Sequence, residues 1–302
     1  MRTADWLLLV LLSILWGGTF LFIAVAVQAV PPLTLVLARV AIAALVLLAL
    51  IPLLGTRLPT SLRAWWPFVV QAILNNIVPF TLIAYGQMRI ASGLAAVLNA
   101  TTPLFTLIVA RLFAGEALTV SKMAGVVLGI VGVAVLMGPA ALTANASNLV
   151  GMLCVLGGAL SYGFAALWMR RLRHIPPLVA SAAQLVCSTL LLLPIAAAVD
   201  RFWEVPTPGP AAVAAILALA VLSTALAYIV FFRISASAGP ANVMLVTLLI
   251  PVTATALGAL VLGERLTATQ VAGALVIGSG LIVIDGRLLA RLGRRGNSET
   301  PH

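Results

Sequence analysis

Charge is scarce in this chain, and negative charge most of all. Of 302 residues only 7 are acidic and 17 basic, 8% together. A soluble domain carries roughly a quarter of its residues as charges. So few cannot cover a water-facing surface of this size, which excludes a soluble globular enzyme. A hydrophobic share of 63% and a mean hydropathy of +1.21 exclude intrinsic disorder as well. Cysteine is equally sparse. Cys154 and Cys187 both lie inside apolar runs, where a free cysteine is a packing residue rather than a disulfide partner. The two histidines, His174 and His302, fall outside those runs. No H-E-x-x-H and no phosphate-binding loop appears, and no histidine is placed to activate a serine. Catalytic residues, a metal site and cofactors are therefore expected to be absent. An ion channel would want a ring of charges or a carbonyl filter, and neither is visible.

What is present is apolar length. Uninterrupted runs near twenty residues satisfy the backbone internally as helices, as a bilayer demands. The predicted fold is an all-α membrane protein with ten transmembrane helices, over 6–27, 33–54, 66–86, 92–113, 122–138, 149–169, 178–199, 211–232, 239–262 and 269–286. Pro31-Pro32, Gly55 to Pro59, Gly138-Pro139, Pro176-Pro177 and Pro206 to Pro210 punctuate them. The first run imitates a signal peptide, with Arg2 ahead of it and Ala24-Val25-Ala26 near its end. Its length and the lack of a polar region after it favour retention.

The net charge of +10 would suggest nucleic acid on a soluble chain. Here the basic residues punctuate the runs and mark topology, so no nucleic-acid partner is expected. With the N-terminus in the cytoplasm, thirteen basic residues fall inside (Arg2, Arg57, Arg63, Arg111, Lys122, Arg170, Arg171, Arg173, Arg233, Arg287, Arg291, Arg294 and Arg295). Arg89, Arg201 and Arg265 fall outside, and Arg39 lies within a span. That bias places both termini in the cytoplasm of a multi-pass protein of the bacterial inner membrane. The tail cluster also suits anionic headgroups.

The chain repeats itself. At an offset of 148, Pro103 meets Pro251, Gly115-Glu116-Ala117-Leu118-Thr119 meets Gly263-Glu264-Arg265-Leu266-Thr267, Gly125 meets Gly273 and Gly132 meets Gly280. At a slightly smaller offset Trp16-Gly17 meets Tyr162-Gly163, and Pro31-Pro32 meets Pro176-Pro177. The expected units are a first five-helix repeat over 4–138, a second over 149–286, and a basic cytoplasmic tail over 287–302. Five is odd, so the halves must insert in opposite directions, the inverted-repeat plan of alternating access.

With Trp16-Gly17-Gly18-Thr19-Phe20, Ala38-Arg39 and the doubled Pro and Gly-Glu-x-Leu-Thr elements, the chain resembles the drug/metabolite transporter superfamily, in its EamA-type ten-helix branch, over about residues 4–286. The resemblance implies a solute exporter or exchanger. Within the branch the chain is similar to the YddG-type exporters of aromatic and other amino acids, which implies an amino-acid substrate.

The residues suited to a substrate are polar or aromatic groups inside apolar runs. Pro103 and Pro251 sit mid-span and each loosens the carbonyl four residues back, those of Asn99 and Thr247. Pro79 stands in the same relation to Asn75, beside Asn76. Such broken helices mark substrate sites in inverted-repeat transporters, though proline also kinks helices for packing. The paired asparagines either line a cavity or bond another helix. Trp16 and Tyr162 occupy matching positions and are expected to face one central cavity, unless they merely pack. Tyr85 and Tyr228 read as interfacial belt residues. The candidate substrate-binding set is thus Trp16, Asn75, Asn76, Asn99, Tyr162 and Thr247, with Pro79, Pro103, Pro251 and Arg39 as kink or gating residues. Arg39 either snorkels, braces carbonyls, or holds an anionic solute group. Glu116 and Glu264 read as helix-end architecture, with Thr267 and Gln270 a capping box. Small-residue stretches, Gly125-x-x-x-Gly129 and Gly278-Ser279-Gly280, are expected to pack the halves or to form a homodimer face.

No carboxylate lies mid-span, which favours uniport or exchange over proton antiport. The partners expected are a small-molecule substrate and the bilayer, with a monomer or homodimer. A nucleotide-sugar or phosphorylated-metabolite exchanger would need several cavity cations where only Arg39 is available. A non-transporting membrane scaffold would pack solidly, with its polar residues paired.

Overall fold

The structure, a computed structural model, describes residues 2–53, 55–142 and 146–285. The tail over 287–302 lies outside the described residues. Every regular element among the described residues is helical. In chain order they are α1 (Thr3–Ala26), α2 (Pro32–Leu53), α3 (Leu62–Gln87), α4 (Ser92–Ala114), α5 (Val120–Leu142), α6 (Ala146–Leu172), α7 (Pro177–Val199), α8 (Pro210–Ala238), α9 (Val246–Leu262, entered through the turn Pro240–Val243) and α10 (Ala268–Asp285). Seven of these are long and apolar enough to cross a membrane. The apolar stretches of α5, α9 and α10 (Val120–Leu136, Val246–Leu262 and Ala268–Ile284) are shorter.

The breaks fall where chain chemistry puts them. Pro32, Pro177 and Pro210 open helices at positions whose N–H has no intrahelical partner. Gly115 and Gly263 close α4 and α9 in the left-handed region, φ 67° and 68°. Gln270 Oε1 accepts from the Thr267 N–H at 2.9 Å, and Thr267 Oγ1 accepts from the Gln270 N–H at 3.3 Å, the reciprocal box expected at the start of α10.

Packing repeats when each helix is exchanged for the one five places along. Helix α1 packs on α9 and α8, while α6 packs on α4 and α3. Helix α3 meets α7 as α8 meets α2, α2 and α7 pack together, and so do α5 and α10. Glycines set the closest approaches. A Cβ at Gly17 would lie 3.0 Å from the Ala254 nitrogen, and one at Gly163 would lie 3.0 Å from the Phe105 carbonyl carbon. Between α5 and α10, a Cβ at Gly280 would come within 2.7 Å of the Gly125 carbonyl, and one at Gly132 within 2.7 Å of the Ile277 nitrogen. Small residues here let backbones touch.

The few carboxylates tie helix ends together. Asp200, capping the end of α7, accepts from the Thr34 N–H (2.7 Å) and hydroxyl (2.9 Å) in the first turn of α2. Glu264, after α9, accepts from the Ser92 N–H (2.9 Å), its hydroxyl (2.7 Å) and the Gly93 N–H (3.1 Å) at the start of α4. Both sit where first-turn N–H groups lack partners and the helix dipole favours negative charge. Asp5 accepts from the Ser237 hydroxyl at the end of α8 (2.8 Å). Glu116 accepts from the Arg170 guanidinium, joining the ends of α4 and α6.

Candidate functional site

Two helices depart from α-winding, and they do so at matching places. Ile73–Ile77 in α3 and Val221–Leu226 in α8 are π-wound, and their starts lie 148 residues apart. In α3 the wide turn meets Pro79. The Val78 N–H bonds the Ile73 carbonyl, five residues back. The next carbonyl, Leu74, would look to Pro79, which has no N–H. It accepts instead from the Ser161 hydroxyl of α6 at 2.7 Å. In α8 no proline is involved, and the Thr224 hydroxyl donates to the Leu219 carbonyl at 2.8 Å. Wide turns of this kind push side chains out of helical register and recur at functional sites.

Between the two turns lies Arg39. Its residue is 5% exposed, so it does not snorkel. Nε donates to Thr224 Oγ1 at 2.9 Å, and Cζ lies 3.6 Å over the Phe80 ring. The phenols of Tyr162 and Tyr228 are close enough to interact with its charge. Asn75 lies near the Tyr228 phenol and donates from Nδ2 to Asn76 Oδ1 at 3.2 Å. Among the described residues no carboxylate lies within ion-pair distance of Arg39. Burying an uncompensated guanidinium costs about several kcal/mol.

The two tyrosines carry a further sign. Both pack against the main apolar core of the bundle, and both keep accessible surface. The expectation of Tyr228 as a belt residue is corrected here, because α8 runs on to Ala238 and leaves Tyr228 well inside it. Tyr85 is half-buried near the end of α3.

The other candidates divide. Asn76 has no accessible surface and donates to Ser188 Oγ of α7 at 2.9 Å, so it binds helices together. Trp16 is half-buried and packs against Phe231, ring centres 5.5 Å apart, in a separate apolar cluster of α1, α8 and α9. Asn99 ends the first half of α4, which breaks at Ala100–Thr101 ahead of Pro103, and its Oδ1 is buried without a hydrogen-bond partner. Thr247 spends its hydroxyl on the Met244 carbonyl of its own chain at 2.8 Å. Pro251 rides inside α9, whose break lies earlier, at Met244–Leu245.

Two clefts open where α2, α4 and α6 end. One, about 340 Å³, is lined by Leu74, Phe113, Phe164, Leu167, Trp168, Arg170 and Arg171. The other, about 390 Å³, lies between Arg57, Phe68, Arg171 and His174. Neither is lined by Arg39, Asn75 or Tyr162.

Sequence reasoning missed Thr224, Ser188 and Tyr228. A signal for two of them was present. Shifted by 148, Asn76 lands on Thr224 and Phe80 on Tyr228.

Comparison with known proteins fits this architecture. The profile of the EamA-like transporter family matches twice, over residues 5–138 and 149–285. The uncharacterized transporter YoaV of Bacillus subtilis is 27% identical over 274 residues, covering 90% of this chain and 93% of that protein. The uncharacterized inner membrane transporter YedA of Escherichia coli (strain K12) is 28% identical over 257 residues, 85% and 82% of the two chains. A Salmonella typhimurium protein named "Probable amino-acid metabolite efflux pump" is 26% identical over 291 residues, 94% and 95%. Among solved structures, one crystal structure superposes with a TM-score of 0.66 at 22% identity, covering 96% of this chain and 99% of the other, a likeness of fold.

Proposed function

The chain belongs to the EamA-like transporter family, and from that membership we propose that it exports amino acids, aromatic ones included, across the bacterial inner membrane. All ten helices cross the bilayer in this reading, with both termini cytoplasmic. Residues 4–138 and 149–286 form two inverted five-helix halves that rock about a central cavity. The doubled family match, the exchange symmetry of the packing and the paired π-turns support the inverted plan. A relative named as an amino-acid metabolite efflux pump supports the substrate class.

One observation carries the site. Tyr162 and Tyr228 keep accessible surface beside Arg39 and Asn75, near both π-turns. Trp16, Asn75, Asn99, Tyr162 and Thr247 are the residues to which we assign the solute pathway. Asn76 is assigned to positioning its neighbour, and the proline-broken α4 and α9 to gating, with Pro79, Pro103 and Pro251 as kink points. Arg39 is taken up below.

Proteoliposomes loaded with labelled L-phenylalanine test the reading. Efflux down the solute gradient alone is expected, and Ala at Asn99 and Tyr162 should lower its rate or change its selectivity. Flux that appears only under an imposed pH gradient would overturn the uniport or exchange mechanism. Intact flux and selectivity in the Ala variants would overturn the site.

A further inference from the structure

We propose that the free edge of Arg39 binds a carboxylate of the solute, making this side chain the determinant that admits carboxylate-bearing molecules. The proposal rests on the transporter reading for its occupant, and on the geometry of Arg39 for its chemistry.

A guanidinium keeps its charge in any protein environment and presents five N–H donors in a planar fork. Three features of Arg39 are accounted for. Nε is taken by Thr224 Oγ1, one face of the guanidinium lies over the Phe80 ring, and the residue is 5% exposed. The terminal Nη1 and Nη2 groups make no hydrogen bond to any described residue. Four donors and a full positive charge thus remain unmatched inside the bundle. Such an edge is complementary to an anion with two oxygens side by side, which is the shape a carboxylate offers to a guanidinium end.

Charge counting favours a carboxylate over a phosphate ester. Arg39 is the one buried basic residue among the described residues. One positive charge balances one carboxylate, whereas a dianionic phosphate would need a second cation. The surroundings describe the rest of the ligand. Phe80, Tyr162 and Tyr228 offer aromatic surface next to the charge, and Asn75 and the two phenols offer hydrogen bonds. An aromatic or aliphatic acid, zwitterionic or not, matches that set. A neutral or purely cationic amine does not.

The position also explains an asymmetry in the repeat. Arg39 has Gln184 as its counterpart, and Gln184 is equally buried. A single carboxylate needs a single guanidinium, so the second half carries no duplicate.

The test uses the purified full-length protein in detergent and three probes of one size. These are 3-phenylpropionate (carboxylate alone), L-phenylalanine (carboxylate and ammonium) and phenethylamine (ammonium alone). Thermal midpoints are expected to rise with the first two and to stay put with the third. R39K, which keeps the charge but loses the fork, should weaken the response to both carboxylates about 10-fold or more. R39M should abolish it. If R39M does not fold, R39K against wild type decides. Equal stabilisation by phenethylamine overturns the assignment. So does no response of the wild type to either carboxylate, or an undiminished response in R39K. Flux separates this from the function proposal. Arg39-dependent binding with no flux in proteoliposomes would sink the transporter reading and leave the carboxylate site standing. Flux of L-phenylalanine and phenethylamine at equal rates in wild type and R39K would do the reverse.

Discussion

At the scale of single residues, the polar groups inside the bundle separate into those that hold it and those that remain available. Asn76, sealed and bonded to Ser188, is of the first kind. N76A removes that bond, and the protein in detergent should lose about 1–3 kcal/mol, read as a lower thermal midpoint. Asn75 should matter less for stability and more for flux, so N75A and N76A are expected to differ in the ratio of the two effects. T224V tests the brace on Arg39. It keeps the side-chain volume, removes the acceptor for Nε, and should cost about 1.5–3 kcal/mol, as bonds to charged groups do. At the helix ends, the Arg170 guanidinium bonded to Glu116 holds that carboxyl below the usual carboxylate range. A depressed folded value gives stability that is present above the unfolded carboxyl pKa, about 4.3, and is lost as pH falls through the folded one. From about pH 5.5 to 8 the pair stays charged. E116Q should therefore shift the thermal midpoint by a small, constant amount across that window, and meet wild type only in acid. A flux profile that changes shape in E116Q over that window would assign this carboxylate a role in coupling. Arg39, Asn75 and Asn76 were legible in the sequence because polar groups stand out in apolar runs. Thr224 and Tyr228 were legible only through the 148-residue repeat, because threonine and tyrosine are ordinary in helices and their meaning came from what lies opposite. The repeat equates Trp16 with Tyr162, but the ring that packs on it, Phe231, was not legible.

At the scale of elements, run length and proline placement read the helices to within a few residues. Winding was less legible. Nothing in Val221–Leu226 distinguishes a five-residue turn from a four-residue one, since the wide turn is fixed by Thr224, Leu219 and the α2 side chain that bonds to it. Helix α9 is also interrupted ahead of Pro251, at Met244–Leu245. Thr247 and Leu248 bond carbonyls three residues back, a tightened turn that composition does not announce. Close helix contacts give a sharp comparison. A Cβ at Gly163 would press on the Phe105 carbonyl at 3.0–3.1 Å, where backbone has no room to yield. G163A should cost about 1–3 kcal/mol. Gly278, whose Cβ would meet nothing within 4 Å, should accept alanine with no loss, or a gain of about 0.5–1 kcal/mol from helix propensity. Equal effects of the two substitutions would show that contact at Gly163 does not limit the packing. Glu264 is the other element-scale device. E264A strips three hydrogen bonds from the start of α4 and should cost about 1–2 kcal/mol.

At the scale of the molecule, the scarcity of acids has a structural counterpart. Asp5, Glu116, Asp200 and Glu264 all fasten one helix end to another, and none stands beside Arg39. Their removal from the interior leaves the solute as the natural source of negative charge there. The architecture was legible as a doubled pattern of glycine, proline and glutamate. What the sequence could not supply is which face of each helix meets which neighbour. The pairing of α5 with α10 has a consequence in time. Gly132 and Gly280 lie 148 residues apart, and α10 packs chiefly on α5. At roughly 5–20 residues per second of synthesis, the glycine face of α5 waits about 7 to 30 s for its partner to leave the ribosome. For that interval the nascent chain presents an unfilled groove to the insertion machinery. Ribosome-bound chains arrested before α10 should crosslink there to whatever shelters it, and lose the crosslink once α10 is released.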